Sequence, residues 1–509
     1  MKPQVYMLNK LAALSVILAI PYATGADTKT EAPITQTLNN QPSVAVSVTD
    51  FGVKGDGIAD DTDSIEKALQ AAATKNGHLY FPRGEYLISR GIYLQSNMTV
   101  TGAQGAILKK IPAATQKFTK PISAGDTVVY VEDASAYKVN QDCYMWDGAG
   151  SGFNGTVGKI VAIDPGENKI TFEAYKSQGA KLTYAVTDKS VFSTSFSMLT
   201  TNSTRTAVDN LVIEGMTFDC QRQKNEPDAY PLAAIHIDPQ RRDKDQRNIV
   251  VRNNIILNSA SDGISVQASE NVTIENNQVY RCGVNGIHVG FTIAKVTVRN
   301  NVVEDCGSAV YWCYGVTEMV VTNNFFKNCS IGCGGIKNDG SNSVIAFNTF
   351  NGIGTGINVI NGAHQTIITG NVFLNGKGTD INVYVSSFTV ISDNLFCDGK
   401  DIGISLRGAS RTSVTNNQFY NYTGESCIRL WRQAGRSQLI SKLNRISGNM
   451  IVGGKVASLY MEDSSQITVS ENQIFPAKGG KAIQVAESCS AILMKDNIVE
   501  GEVINASTP

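Results

Sequence analysis

Short runs of alternating apolar and polar residues follow one another along most of the chain, and these runs recur at a fixed spacing. Most of the stretches between Asn248 and Ser387 contain a β-branched run, an Asn-Asn or Gly-Asn pair, a second short run, and a segment of the form Gly-Ile-x-Val-x. The period is about 22 to 24 residues and continues weakly to Val503. Two-residue alternation is typical of strands, so three short strands in each period predict one coil of a parallel β-helix.

The asparagines between the runs support this interpretation. Asparagine tolerates left-handed backbone angles, and asparagines at matching corners of stacked coils can form a hydrogen-bonded ladder. A leucine-rich horseshoe has a similar period but requires Leu-x-x-Leu-x-Leu units, which this sequence lacks. We therefore predict an all-β fold, a parallel β-helix whose coils occupy 194–509.

Two other segments have different patterns. Ile65, Ala68, Leu69 and Ala72 have helical spacing and predict an α-helix that caps the first coils, within 47–110. Between 111 and 193 the repeat is interrupted by hairpin-like runs with Gly and Asp-Pro-Gly turns, which predict a small all-β insertion.

The first residues have the pattern of an export signal. Two lysines precede an apolar run from Leu11 to Ile20, and small residues follow it up to Ala26. We interpret 1–26 as a signal peptide and 27–46 as a linker, and we expect a secreted or periplasmic protein.

Short motifs near the start connect the chain to a known family. They are Asp50-Phe51-Gly52, Gly55-Asp56-Gly57, Asp60-Asp61-Thr62 and Phe81-Pro82-Arg83-Gly84-Glu85-Tyr86. Together they resemble the amino-terminal signature of the pectate-lyase-like superfamily of right-handed β-helices, which includes polygalacturonases, rhamnogalacturonases, mannuronan epimerases and phage tailspikes. The resemblance implies a right-handed helix, a helical lid in which the aspartates cap the helix and build turns, and a polysaccharide as partner. Trimers are common in such relatives, so a homo-oligomer is possible by analogy.

Composition narrows the choice of partners. Lys plus Arg (44) nearly equals Asp plus Glu (45), which gives no general attraction to nucleic acid or to an anionic membrane. The ten cysteines include Cys282, Cys306 and Cys329 at matching positions of the repeat, so we predict buried thiols, with disulfides as the alternative. We predict neither a metal nor another cofactor, because no Cys-x-x-Cys or Cys/His spacing occurs.

The repeat also predicts which side chains share a surface. In Gly-Ile-x-Val-x the Ile and Val face the core, so the residue between them and the residue after Val face outward in two columns along the stacked coils. The candidate catalytic residues in these columns are His236, Asp238, His288, Tyr311, Lys337 and Asp339. The candidate substrate-binding residues on the same face or at its edge are Asp262, Gln267, Tyr314, Asn358, Tyr384, Arg407, Arg429, Trp431 and Arg432.

These residue types favour proton transfer on an acidic sugar. A histidine, His288 or His236, can act as base, Tyr311 as acid, and Lys337 or Arg429 can neutralise a carboxylate. Aromatic rings with arginines suit a uronic-acid glycan. We therefore expect an enzyme that cleaves an acidic polysaccharide by β-elimination.

Three alternatives remain open. A polygalacturonase-like hydrolase is suggested by "SDGISVQAS" and "GGIKNDG", which resemble that family's coils and place Asp262 and Lys337 in matching positions. A uronate epimerase is suggested by Asp238-Pro239, which resembles the start of the epimerase Asp-Pro-His-Glu motif. The third alternative is a tailspike-like protein that binds carbohydrate, or serves as a structural element, without reacting.

Overall fold

Three sheets of parallel strands run the length of the protein. In the computed structural model the described residues are 45–149, 154–175, 177–201, 207–227, 232–239, 246–291, 294–335, 341–433 and 439–508. The predicted signal peptide 1–26, and all but the last residues of the predicted linker 27–46, lie outside these ranges.

Each coil contributes one strand to each sheet, and all pairings within the three sheets are parallel. The strands of sheet 1 are Val46–Ser47, His78–Phe81, Met98–Gly102, Asp209–Glu214, Gln246–Arg252, Ser269–Glu275, Ala294–Arg299, Thr317–Thr322, Val344–Ala346, Ile367–Thr369, Val390–Ser392, Ser413–Thr415, Ser441–Lys442, Arg445–Ser447, Ser464–Ser470 and Ser490–Lys495. The strands of sheet 2 are Asp56–Asp60, Gly84–Ile88, Ala106–Lys110, Thr217–Asp219, Ile255–Leu257, Gln278–Tyr280, Val302–Glu304, Phe325–Lys327, Thr349–Asn351, Val372–Leu374, Leu395–Cys397, Gln418–Tyr422, Met450–Gly453, Gln473–Phe475 and Ile498–Val499. The strands of sheet 3 are Ile92–Tyr93, Leu199–Thr200, Ala233–Ile237, Asp262–Gln267, Asn285–Gly290, Ser308–Cys313, Ile331–Gly334, Thr355–Ile360, Ile381–Tyr384, Ile402–Arg407, Ser426–Trp431, Ala457–Met461, Lys481–Val485 and Val503–Asn505. The predicted parallel β-helix is confirmed.

The predicted asparagine ladder is confirmed at the corner between sheets 1 and 2. Buried asparagines of successive coils bond to one another, as Asn277 Nδ2 does to Asn301 Oδ1 at 3.0 Å and Asn301 Nδ2 to Asn324 Oδ1 at 3.0 Å. Each Oδ1 also accepts the backbone N–H of the asparagine in the preceding coil. The bond from the backbone N–H of Asn277 to Asn301 Oδ1 is 2.9 Å long. The ladder satisfies backbone groups that the turn would otherwise leave buried without partners.

Apolar side chains of identical positions stack inside the coils. Phe350, Phe373, Phe396 and Phe419 lie nearly parallel, with ring centroids 4.4 to 4.8 Å apart. This spacing equals the separation between paired strands, so each ring contacts its equivalents in the coils above and below. All ten cysteines are described as free thiols, nine of them buried, which agrees with the sequence prediction.

The helix Thr62–Lys75 covers the first coil with the face that carries Ile65, Leu69 and Ala72. The neighbouring aspartates build turns, as predicted: the Asp61 carboxylate accepts the backbone N–H groups of Lys54 and Gly55 at 2.7 and 2.9 Å. Asp61 holds the N-cap position, but its side chain makes no capping bond, because both of its oxygens are used in this turn. The capping role predicted for these aspartates falls to Asp60, whose Oδ1 accepts the backbone N–H of Thr62, the first helical residue, at 3.1 Å. The short 3-10 turn Val48–Phe51 precedes this region.

A separate antiparallel sheet lies within the predicted insertion. Its strands are Thr115–Gln116, Val128–Tyr130, Asp142–Trp146, Thr156–Asp164, Lys169–Ala174 and Val191–Ser193, and a 3-10 turn spans Ala134–Ala136. The coils before and after it stack directly: Asn210 bonds to Asn97, 113 residues away, as later corners bond at intervals of 23. The insertion is thus extruded without interrupting the solenoid.

Candidate active site

The predicted outward columns exist on sheet 3. The strand register places His236 beside Ser265, Ser265 beside His288, and His288 beside Tyr311. Farther along, the same column continues through Asn358 and Asn382, whose side chains bond at 3.1 Å.

One predicted position in this column is wrong. Val310 pairs with Cys333, and Gly334 pairs with Asn358, so the place between Tyr311 and Asn358 belongs to Gly334 and not to Lys337. The prediction matched Gly-Ile-Lys to the strand pattern, whereas the strand Ile331–Gly334 uses a cysteine as its core residue. Lys337 and Asp339 lie outside the described residues.

Asp262, His288 and Tyr311 form a cluster across three consecutive coils. Asp262 Oδ2 lies 2.7 Å from His288 Nδ1, and Asp262 Oδ1 accepts a 2.8 Å bond from the Asn285 amide. The ring of Tyr311 meets the ring of His288 edge to face, with centroids 5.1 Å apart. A carboxylate, an imidazole and a phenol are therefore in contact.

The charge of this cluster is set by the aspartate. Burial disfavours a charged imidazole, but the adjacent Asp262 carboxylate outweighs it and raises the pKa of His288 to about 10. His288 is therefore a cation at neutral pH. A histidine that already carries its proton does not accept another, so the pairing with Asp262 does not favour His288 as the predicted base.

His236 and Asp238 lie one coil from Asp262 and two coils from His288. Asp238 Oδ2 is 3.7 Å from His236 Nε2, and the backbone N–H of Asp238 bonds to Thr201 Oγ1 at 2.9 Å. The predicted proximity of this pair is thus observed.

The structure corrects the predicted exposure of this part of sheet 3. His236 is completely buried, His288 is 4% exposed, and Asp262, Asp238 and Gln267 are also buried. Position in an outward column did not ensure contact with solvent, because side chains of successive coils, only about 4.8 Å apart, pack against one another. Tyr311 is half-buried and is the accessible member of the cluster.

A cysteine that the sequence reasoning did not select completes the surroundings of His288. Cys313 Sγ lies 3.6 Å from His288 Nε2, on the side of the ring opposite Asp262. Cys313 occupies the second column, where it pairs with Gly290 of the neighbouring strand. The sequence signal that could have found it was its place in the coil directly after that of His288. Gln267 precedes Gly290 in the same column, and its Nε2 donates to Ser265 Oγ at 3.1 Å.

A strip of aromatic and arginine side chains lies farther along the same two columns. The Arg407 guanidinium carbon is 5.4 Å from the ring centroid of Tyr384 and 4.6 Å from that of Trp431. Arg429 lies 4.4 Å from Trp431 and 5.1 Å from Tyr460. We call these five residues the arginine-aromatic strip.

The two arginines of the strip differ in charge balance. Arg429 is held by Glu425 and, at 2.5 Å, by Glu462, so two carboxylates already neutralise it. Arg407 has no carboxylate partner among the described residues. The sequence predicted a binding role for both arginines, and the structure leaves only Arg407 with charge available to a ligand.

The other predicted binding residues lie at the edges of this surface. Tyr314, 39% exposed, stacks on Phe291 with centroids 5.1 Å apart, at the corner beyond the cluster. Arg432 is exposed and pairs with Asp463 at 3.2 Å. Asn358 is half-buried between the cluster and the strip.

The antiparallel sheet meets the beginning of the first column. Tyr93 pairs in register with Thr200, which pairs with His236. The hydroxyls of Tyr93 and Tyr175 both donate to the Asp142 carboxylate, beside a cavity of about 20 Å³. Burial raises the pKa of Asp142, so this contact is a buried polar junction and not an open wall of a cleft.

The described ranges contain neither a cluster of metal ligands nor a membrane-spanning helix. No group of three or more His, Cys, Asp or Glu side chains there is arranged to hold a metal ion. No helix there has the length and apolar character of a membrane span.

Family models match most of the chain in separate parts. The rhamnogalacturonase A/epimerase, pectate lyase-like model matches 45–287, and the right-handed beta helix region model matches 334–499. A model described as periplasmic copper-binding protein (NosD) matches 241–334, where the described residues offer no metal-holding group. With the stacked coils, these matches define a right-handed parallel β-helix protein. The part 45–287 belongs to the pectate-lyase-like superfamily of such proteins.

Similar proteins differ in what their names describe. The preneck appendage protein of Bacillus phage PZA is 31% identical over 109 residues, 21% of this chain and 11% of the phage protein. Alginate lyase 7 of Azotobacter vinelandii is 37% identical over 83 residues, 14% of this chain and 10% of the lyase. The chain thus spans about a tenth of the length of these curated relatives.

A solved structure agrees along nearly the whole chain. The A-module of the Azotobacter vinelandii mannuronan C-5 epimerase AlgE4 superposes with a TM-score of 0.50 at 15% identity, over 91% of this chain and 99% of the module. At this identity the agreement concerns the fold alone.

Proposed function

We propose that this chain is an exported enzyme that cleaves a uronic-acid-containing polysaccharide by β-elimination. The observation that carries the proposal is the contact between the His288 imidazolium, held by Asp262, and the accessible Tyr311 phenol. A fixed cation beside a proton-transfer group is what elimination from a uronate requires.

The cluster supplies both parts of the reaction. The His288 imidazolium stabilises the negative charge that develops on the uronate as the C5 proton leaves. The Tyr311 oxygen takes that proton as a phenolate, the electron pair forms the C4–C5 double bond, and the C4–O bond breaks. The Tyr311 hydroxyl then gives its proton to the departing oxygen. The tyrosine is thereby returned to its starting form.

The arginine-aromatic strip extends the same surface for a long substrate. The register from Tyr311 through Gly334 and Asn358 to Asn382 spans three coil steps, roughly 14 Å. Arg407, between Tyr384 and Trp431, lies at the far end and suits a second carboxylate of the same glycan. The names of the relatives, an alginate lyase and a mannuronan epimerase, are consistent with acidic glycans.

The proposal is tested with purified chain and a panel of polyuronates, among them polygalacturonate, polymannuronate and polyguluronate. Elimination produces an ultraviolet-absorbing unsaturated uronate together with new reducing ends. Tyr311→Phe and His288→Gln are expected to abolish absorbance growth while binding persists. Tyr280→Phe is the matched control, since its hydroxyl contacts only Gln278 on sheet 2. Reducing ends without absorbance would replace elimination by hydrolysis, and deuterium incorporation at C5 without cleavage would replace it by epimerisation.

A second candidate is a carbohydrate-binding protein without catalysis. It is favoured by the burial of His236, Asp262 and His288, compared with the accessible arginine-aromatic strip. The phage appendage relative fits this class by name. Retention on acidic glycans that depends on Arg407, with no reaction on any member of the panel, would establish it.

A further inference from the structure

Cys313, His288 and Asp262 lie in a line across the outer face of sheet 3. Cys313 Sγ is 3.6 Å from His288 Nε2, and His288 Nδ1 is 2.7 Å from Asp262 Oδ2. A thiol, an imidazole and a carboxylate in this order activate a sulfur nucleophile, because the imidazolium stabilises the thiolate and the carboxylate fixes the imidazolium. The proposed elimination does not use the sulfur.

A recess faces this sulfur. Gly290 stands between Gln267 and Cys313 in the second column, and a Cβ at position 290 would lie 2.8 Å from Cys313 Sγ and 2.7 Å from Gln267 Oε1. Gln267 is completely buried, and no residue in the described ranges donates a hydrogen bond to its Oε1. A buried acceptor without a donor is costly, so the recess is built for a small group that donates a hydrogen bond.

We propose that Cys313 is an oxidation site, at which hydrogen peroxide or a small organic hydroperoxide converts the thiolate to a sulfenic acid. A carbon atom would clash at the position in front of Gly290. With no side chain at position 290, an oxygen bonded to Sγ can lie toward Gln267 Oε1 and donate its proton to it, because both atoms lie within 2.8 Å of one point in front of Gly290. The modification therefore provides the donor that Gln267 lacks.

The step balances with groups that are present. The Cys313 thiolate attacks one peroxide oxygen, the O–O bond breaks, and the sulfur loses two electrons while the peroxide gains them. The departing hydroxide takes the Nε2 proton of His288 and leaves as water, or as an alcohol from an organic peroxide. Asp262 still faces the ring after this step, so His288 regains a proton from solvent and remains the cation beside Tyr311.

The other cysteines provide an internal comparison. Cys397 is the most accessible cysteine, but burial and the nearby Asp398 raise the pKa of its thiol. Exposure alone therefore predicts reaction at Cys397, whereas the proposal predicts it at Cys313. Cys313 differs from Cys397 in facing an imidazole that is held by a carboxylate, the arrangement that activates a sulfur nucleophile.

The test uses native full-length chain, hydrogen peroxide at neutral pH and dimedone to trap the sulfenic acid, followed by peptide mass spectrometry. We expect labelling of Cys313 ahead of Cys397, and a loss of at least about tenfold in its rate in His288→Gln. Gly290→Ala, which fills the recess, should also suppress labelling. His364→Gln, on a histidine bonded to Ser387, should leave it unchanged.

The opposing outcomes are equally specific. Labelling that begins at Cys397, or Cys313 labelling that is equal in His288→Gln and in the unaltered chain, would overturn the proposal. Asp262→Asn serves as a second variant where His288→Gln does not fold, with the same expected loss. These measurements use no polysaccharide. A failure of the oxidation proposal can therefore be distinguished from a failure of the proposed elimination activity.

Discussion

Replacing one asparagine of the buried ladder should destabilise the coils far more than its size suggests. Asn371 Nδ2 donates to Ile345 O at 2.9 Å and to Asn394 Oδ1 at 3.0 Å. Its Oδ1 accepts the backbone N–H and the Nδ2 of Asn348, at 2.9 and 3.0 Å. Alanine at 371 removes these four bonds, together with a longer 3.2 Å bond from Nδ2 to Thr369 O, and leaves the backbone N–H of Asn348 buried without a partner.

The expected loss follows from these bonds. The unsatisfied N–H costs about 1 to 3 kcal/mol, and the other three bonds contribute about 1 kcal/mol each before any rearrangement. Allowing for partial relaxation, we expect Asn371→Ala to lower the free energy of unfolding by about 4 kcal/mol.

Asn375 offers a matched control one corner along the same coil. It is exposed, its side chain bonds to Asn351 at 3.2 Å, and its φ is 54°, so Asn375→Ala should cost about 1 kcal/mol, chiefly from the left-handed backbone. Urea unfolding gives both energies, and amide hydrogen exchange at Asn348 reports the local opening. Equal losses for the two variants, or unchanged exchange at Asn348, would refute the role given to the ladder.

Three further predictions concern the core, the cluster and the strip. Phe373→Ala should lower the free energy of unfolding by about 3 to 5 kcal/mol, because the ring is stacked on both sides, whereas exposed Phe388→Ala should cost under about 0.5 kcal/mol in the same urea titration. The pKa of His288 is raised to about 10 in the folded chain, so the stability that its charge provides is fully present below about pH 6.5 and disappears as pH rises through about 10. The difference in unfolding energy between the unaltered chain and His288→Gln should therefore shrink over that range, and a constant difference would contradict the ion pair. In affinity electrophoresis on an acidic glycan, Arg407→Ala should weaken retention about tenfold and Arg429→Ala should change it little, since carboxylates already neutralise Arg429; equal effects would count against this assignment.

Much of the fold could be predicted because a solenoid repeats its local rules. Apolar alternation located the strands, and asparagines marked the corners where Asn277 and Asn301 now bond. The register failed where one coil departs from the pattern: Cys333 fills the core position that an isoleucine was expected to fill, and this shifted the predicted place of Lys337.

The chemistry of the site was less predictable. The columns correctly brought His288 beside Tyr311, but sequence alone did not show that Asp262 would hold the imidazole and fix its charge. It also gave no indication that Glu425 and Glu462 would neutralise Arg429, since these acids precede and follow the strand pattern by different offsets. The burial and the pairing of a side chain depend on its neighbours in other coils. A repeat pattern predicts which residues are neighbours, but it does not predict which of their side chains make contact.

The coil before the antiparallel sheet pairs directly with the coil after it. Ile92–Tyr93 pairs with Leu199–Thr200, and Ala106–Lys110 pairs with Thr217–Asp219, in the same register as uninterrupted coils. Such a junction lets a foreign domain be spliced in or excised without disturbing the rod. The architecture can therefore acquire new recognition modules while the stacked coils keep their alignment.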